Sequence, residues 1–98
     1  MTAAQLRQSA LAESEPPAVL TPELRALWFA KTGRWDEAHG IAQDIETPDG
    51  SWIHALLHLI EGDTGNAGYW YARAGRPVRG TREIDDEWYR IAAHLCGA

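Results

Sequence analysis

Two imidazoles stand one helical turn apart in the stretch SWIHALLHLIEGD, at His54 and His58, with the carboxylate of Glu61 close behind. On an α-helix, positions i, i+4 and i+7 project from one side within about 60° of one another. Two histidines so placed can hold one zinc ion, Glu61 or an acid on a neighbouring helix can supply a third ligand, and His39 can supply a fourth. The hydrolytic zinc helix reads H-E-x-x-H, its Glu acting as general base. Position 55 is Ala, so a metal here lacks a base on its own helix.

The same segment is apolar at Trp52, Ile53, Ala55, Leu56, Leu57, Leu59 and Ile60, the pattern of a helix enclosed by others. Burial then requires each histidine to hydrogen-bond a backbone carbonyl, a Tyr or a carboxylate. The expectation taken from the residues is that His54 and His58 are hydrogen-bonded packing residues and that no cofactor is needed. Metal or small-ligand binding through His54, His58, Glu61 and His39, with zinc as the ion, is the alternative.

Two other stretches carry chemistry. Tyr69, Trp70 and Tyr71 are consecutive on a helix and cannot all point inward. With Tyr71 inside, Tyr69 or Trp70 lies near the surface, and Trp52 can join them in a groove of the kind that anchors a protein partner. The run RAGRPVRGTR supplies Arg73, Arg76, Arg79 and Arg82, followed at once by Glu83, Asp85, Asp86 and Glu87. Its arginines either grip a carboxylate or phosphate or neutralise an acidic helix start. Asp85 and Asp86, being neighbours, point in different directions on a helix and form no shared-proton pair. Phosphate-loop, dinucleotide and nucleophile-elbow patterns are absent from the sequence, which leans away from an enzyme.

The elements that must position these groups are limited by length. Ninety-eight residues give one domain, and 45% apolar residues with five Trp give it a real core. Fourteen acidic against nine basic side chains argue against nucleic acid as the partner. The single cysteine, Cys96, excludes an intrachain disulfide and a cysteine-based zinc site. No leader-like start and no long apolar run is present, so the expected setting is the cytoplasm, away from membrane.

Residues 24–48 align with 53–77 at a shift that matches Ala26 to Ala55, Leu27 to Leu56, Gly33 to Gly62, Ala38 to Ala67 and Pro48 to Pro77. Each unit reads as helix, tight turn, helix. In the first, Thr21 caps, Pro22 opens the helix and Gly33 ends it. Asp36 then caps a helix carrying Ala38, Ile41, Ala42 and Ile45, which TPDG stops. In the second, Asp49 or Ser51 caps, the helix runs to Glu61, Gly62 stops it, and Asp63 or Thr64 caps a helix to about Ala74. A short N-terminal helix carries Leu6, Ala10 and Leu11 on one side. Ile84, Trp88, Ile91, Ala92 and Leu95 stripe a C-terminal helix.

In the first unit Ala26, Phe29, Gly33, Trp35 and Ala38 stand in the order small, aromatic, Gly, aromatic, Ala, and in this the chain resembles a tetratricopeptide repeat. The second unit keeps Ala55, Gly62, Ala67, Tyr71 and Ala74 but places His58 where the first has Phe29, and Thr64 where it has Trp35. Residues 54–77 also resemble part of a small bacterial family to which no activity attaches. The resemblance implies an all-α fold of tandem antiparallel helical hairpins with five to six helices: residues 1–20 as helix and connector, 21–48 as hairpin 1, 49–77 as hairpin 2 and 78–98 as a capping helix. It implies a non-enzymatic interaction module or small scaffold. Trp52, Tyr69, Trp70, Arg73 and Arg76 are then its contact residues, for a peptide, a protein or a second copy that completes the stack.

Overall fold

The computed structural model describes residues 1–97, and among these the chain is all-α, with six helices and one 3-10 turn. Helix α1 (Ala3–Ala12) opens on a capping box in which the Thr2 hydroxyl accepts from Gln5 N and the Gln5 side chain accepts from Thr2 N. It buries Ala3, Leu6 and Ala10, whereas Leu11, expected on that side, points to solvent. Removing the Leu6 side chain from water contributes roughly 1.5–3 kcal/mol, and each Ala methyl about 0.8 kcal/mol. The helix is also tied by a polar contact, since the buried Trp28 indole donates to Ser9 Oγ at 3.1 Å.

Helix α2 (Pro22–Thr32) starts on Thr21 and Pro22 and stops at Gly33, whose φ of +83° is the left-handed geometry that ends a helix without a Cβ clash. Helix α3 (Trp35–Ala42) begins directly afterwards. Asp36 is therefore not its cap but sits in its first turn, and the residue in the cap position, Arg34, instead grips Glu37 with two 2.7 Å hydrogen bonds. The α3 helix also ends earlier than expected, at Ala42, and a turn at Gln43 and Asp44 leaves Ile45 outside it.

The TPDG segment does the reverse of what its composition suggests. Thr47 caps helix α4 (Pro48–Ile60), accepting from Gly50 N at 3.1 Å, with Pro48 in the first position. Asp49 and Ser51 lie inside the helix, and Pro48 initiates where Pro77 sits in an irregular connection. The boundary between the hairpins thus falls at Thr47. Gly62, with φ +83°, closes α4, and Asp63 caps helix α5 (Thr64–Ala74) by accepting from Asn66 N. Two helical hairpins, α2/α3 and α4/α5, result, with Ala26, Ala38, Ala55 and Ala67 buried where helices approach.

After a 3-10 turn (Thr81–Glu83), helix α6 (Ile84–Cys96) lies across α4, α2 and α1. It buries Trp88, Ile91 and Ala92, and the Trp88 indole donates to the Leu27 carbonyl at 2.8 Å. It also carries Glu87 into the core, only 1% exposed. That carboxylate accepts from Trp52 Nε1 on α4 at 3.0 Å, from the Tyr71 hydroxyl on α5 at 2.7 Å and from Arg90 at 2.8 Å. Burial, and then the bond to Glu87, raise the Tyr71 hydroxyl well above the usual phenol range, so it remains a donor.

Removing the Glu87 carboxylate strands two buried donors and a paired arginine. The Glu87→Ala variant is expected to lose about 3 kcal/mol of stability in urea denaturation, against about 1 kcal/mol for Tyr71→Phe, which removes one donor only. Equal losses in the two variants contradict this account of the α4–α5–α6 junction.

Candidate metal centre

The imidazoles sit where hairpin α4/α5 meets α3. His54 and His58 project from one face of α4, and His39, from α3, faces them. The ligand-capable atoms of the three lie within 4.8 Å of one another. The rings are packed together, with centroids 4.9 Å apart for His54–His58, 4.6 Å for His39–His54 and 5.6 Å for His39–His58.

Two indoles hold this group from either side. Trp35, one turn before His39 on α3, stacks on the His39 ring at 4.7 Å and 11°. Its Nε1 donates to the Leu57 carbonyl of α4 at 2.6 Å, which fixes α3 against the helix that carries the other two histidines. Trp70, from α5, stacks on His54 at 3.9 Å and 11°. His54 is only 5% exposed, and burial, followed by repulsion from His39 and His58, pushes its pKa down to about 4. At neutral pH its ring is uncharged and has a free lone pair.

Glu61, the third ligand of the metal alternative, lies against His58. Its Oε1 lies 2.6 Å from His58 Nδ1. With the carboxylate accepting, Nδ1 carries the proton and Nε2 keeps the lone pair, an assignment made from the partner. A carboxylate behind a histidine is the usual outer partner of a metal-binding imidazole and raises its basicity. His58, Glu61 and Asp63 also approach within 4.8 Å of one another. Asp63, however, is committed to Asn66 through both oxygens, at 3.1 and 2.7 Å, and those bonds hold its carboxyl below the usual range.

The expected hydrogen bond is thus present for His58 and absent for His54, which stacks on Trp70 and has no hydrogen-bond partner among the described residues. A tetrahedral zinc ion with bonds of about 2.0–2.1 Å separates its ligand nitrogens by about 3.4 Å.

The expected contact residues divide between two places. Trp52 is buried and turned to Glu87, away from the groove foreseen for it, with the Arg76 guanidinium 3.9 Å above its ring. Tyr69, Trp70 and Arg73 stay together on α5. Tyr69 is 55% exposed, and Arg73 lies 5.7 Å from its ring and 5.3 Å from that of Trp70. Trp70 and Arg73 line an open cleft of about 570 Å³ that also reaches His54, Ser51, Pro48 and Ile45. Glu87 and the indole of Trp35 are the residues sequence reasoning passed over. For Trp35 the signal was its place one turn from His39.

The α4 start that floors the cleft tolerates no side chain at Gly50, where a Cβ would overlap the Ile45 carbonyl and lie 2.7 Å from the Ile45 Cβ. Gly50→Ala is expected to cost about 2 kcal/mol in chemical denaturation, and an unchanged midpoint contradicts that close approach. His54 gives a pH signature of definite sign. Its folded pKa of about 4 lies below the ordinary 6.5, so the unfolded chain binds the extra proton. Its stabilising share is complete above pH 6.5 and is lost as pH falls toward 4. Melting temperatures measured across this window should fall more steeply for the natural chain than for His54→Phe, and parallel curves contradict the assignment. Comparison of the chain with protein-family models, with curated proteins and with solved structures finds no match.

Proposed function

We propose that this protein binds a divalent transition-metal ion of the zinc class through His39, His54 and His58, with Glu61 orienting His58 from behind. The observation that carries the reading is the convergence of three imidazoles from two helices within 4.8 Å. Their chemistry agrees: imidazole is a preferred ligand for zinc, copper and nickel, whereas calcium and magnesium prefer oxygen. Three protein ligands leave a fourth position for water or another ligand, as in zinc sites that do more than staple a fold.

A second reading keeps the chain as a tetratricopeptide-like scaffold for a peptide, a protein or a second copy of itself. The exposed Tyr69 beside Arg73 favours it, because aromatic and Arg side chains dominate binding interfaces. Light scattering at micromolar concentration tests the second copy, and a single monomeric mass removes it.

Chain purified without a nickel column and stripped with chelator should take up one zinc per chain. At a hundredfold excess over Kd, zinc should add about 2.7 kcal/mol of stability. Affinity should fall about 10- to 100-fold in Glu61→Gln and further in His39→Ala. A melting temperature unmoved by zinc, or affinity unchanged in His39→Ala, contradicts the metal reading and leaves the scaffold reading in place.

A further inference from the structure

The cleft beside the histidines has a lining that matches one kind of ligand. Arg73 at its edge has no carboxylate partner among the ion pairs of the described residues. Its guanidinium lies 5.7 Å from the Tyr69 ring centre and 5.3 Å from that of Trp70, with one nitrogen donating to the Tyr69 hydroxyl at 3.2 Å. Arg34, Arg79 and Arg90 face acids, whereas Arg73 shares its lack of an acidic partner among the described residues with Arg7, Arg25, Arg76 and Arg82, and of these five it is the one that lines this cleft. A guanidinium held beside aromatic rings and tied to one hydroxyl keeps further N–H donors, and its planar fork of donors suits a carboxylate.

The rest of the cleft agrees. One side is apolar, formed by Ala42, Ile45, Pro48 and Trp70. The start of α4 opens into it and contributes partial positive charge. Ser51, 9% exposed, and His54, 5% exposed, both line it, and neither side chain has a hydrogen-bond partner among the described residues. Polar atoms that open onto a cleft without a protein partner are available to ligand atoms there. Glu46 also lines the cleft and sets a limit. A second negative charge on the ligand meets like charge there, so a monoanion with an apolar body fits and a phosphate dianion does not.

We propose that the cleft between α3, α4 and α5 binds a small organic monocarboxylate, its charge held by Arg73 and its apolar body lying against Ile45, Pro48 and Trp70. This goes beyond the metal reading and does not need the ion. His54 is common to both sites, so the carboxylate lies beside the metal when both are bound.

The test titrates the full, isotope-labelled chain in chelator with 2-naphthoate, the uncharged 2-naphthamide and inorganic phosphate, each followed in amide and indole NMR spectra. The expected result is saturable shifts at Gly50, Ser51 and the Trp70 indole with naphthoate only. Naphthamide on the natural chain and naphthoate on Arg73→Gln should both bind at least about tenfold more weakly, the loss of a charge-assisted hydrogen bond. Arg73 is exposed, so that variant keeps its fold, checked by its melting temperature. Equal affinity for naphthoate and naphthamide, retained affinity in Arg73→Gln, preference for phosphate, or shifts confined to another face each overturn the proposal. Failure of the metal reading shows separately, as a naphthoate response intact in a chain that zinc does not stabilise.

Discussion

Helix α4 is enclosed on almost its whole circumference, with every residue from Gly50 to Leu57 buried between α2, α3, α5 and α6. A helix in that position has almost no solvent face, so a polar side chain on it meets either a partner in a neighbouring helix or the cleft. Trp52 and His54 are two residues apart and therefore look in nearly opposite directions. One meets α6 and the other meets α3 and α5. The two polar centres of the molecule follow from that division.

The two centres differ in what holds their polar groups. At Glu87 the carboxylate has a donor from α4, from α5 and from its own helix, and a second arginine, Arg79, approaches at 3.8 Å. The carboxylate itself is fully engaged, as a structural junction requires, while Arg79 Nε stays buried beside it without a hydrogen-bond partner among the described residues. At the histidines, two indoles fix ring positions by stacking, Glu61 takes one nitrogen of His58, and lone pairs are left over. Stacking orients an imidazole without consuming its ligand atoms. The depressed pKa of His54 has the same sense, since a neutral ring is ready to coordinate whereas a protonated one is not.

Much of the fold was legible because its signals are local. Gly33 and Gly62 close helices where left-handed backbone is needed, Asp63 caps, and the stripe from Ile84 to Ala92 turns inward. Thr47 and Pro48 were misread although they repeat the Thr21–Pro22 pair that opens α2. The alignment of Pro48 with Pro77 hid that dipeptide, and Pro is as much at home at a helix start as after a helix end. The spacing of His54 and His58 put them on one face, but nothing local says that α3 delivers His39 to the same point or that Glu61 turns to His58. Glu87 was out of reach for the same reason, since a carboxylate among three others reads as surface until the helices carrying Trp52 and Tyr71 are seen to converge on it.

The central claim is that three imidazoles from two helices leave lone pairs free at one point. A titration of the chelated protein with cobalt(II), followed by visible absorption, tests it most directly. Cobalt takes zinc's place in such sites and reports its geometry through the strength of its bands. The account predicts intense bands of four-coordinate cobalt that saturate at one equivalent and disappear in His39→Ala. The weak spectrum of the hydrated ion, unchanged to several equivalents, would contradict it.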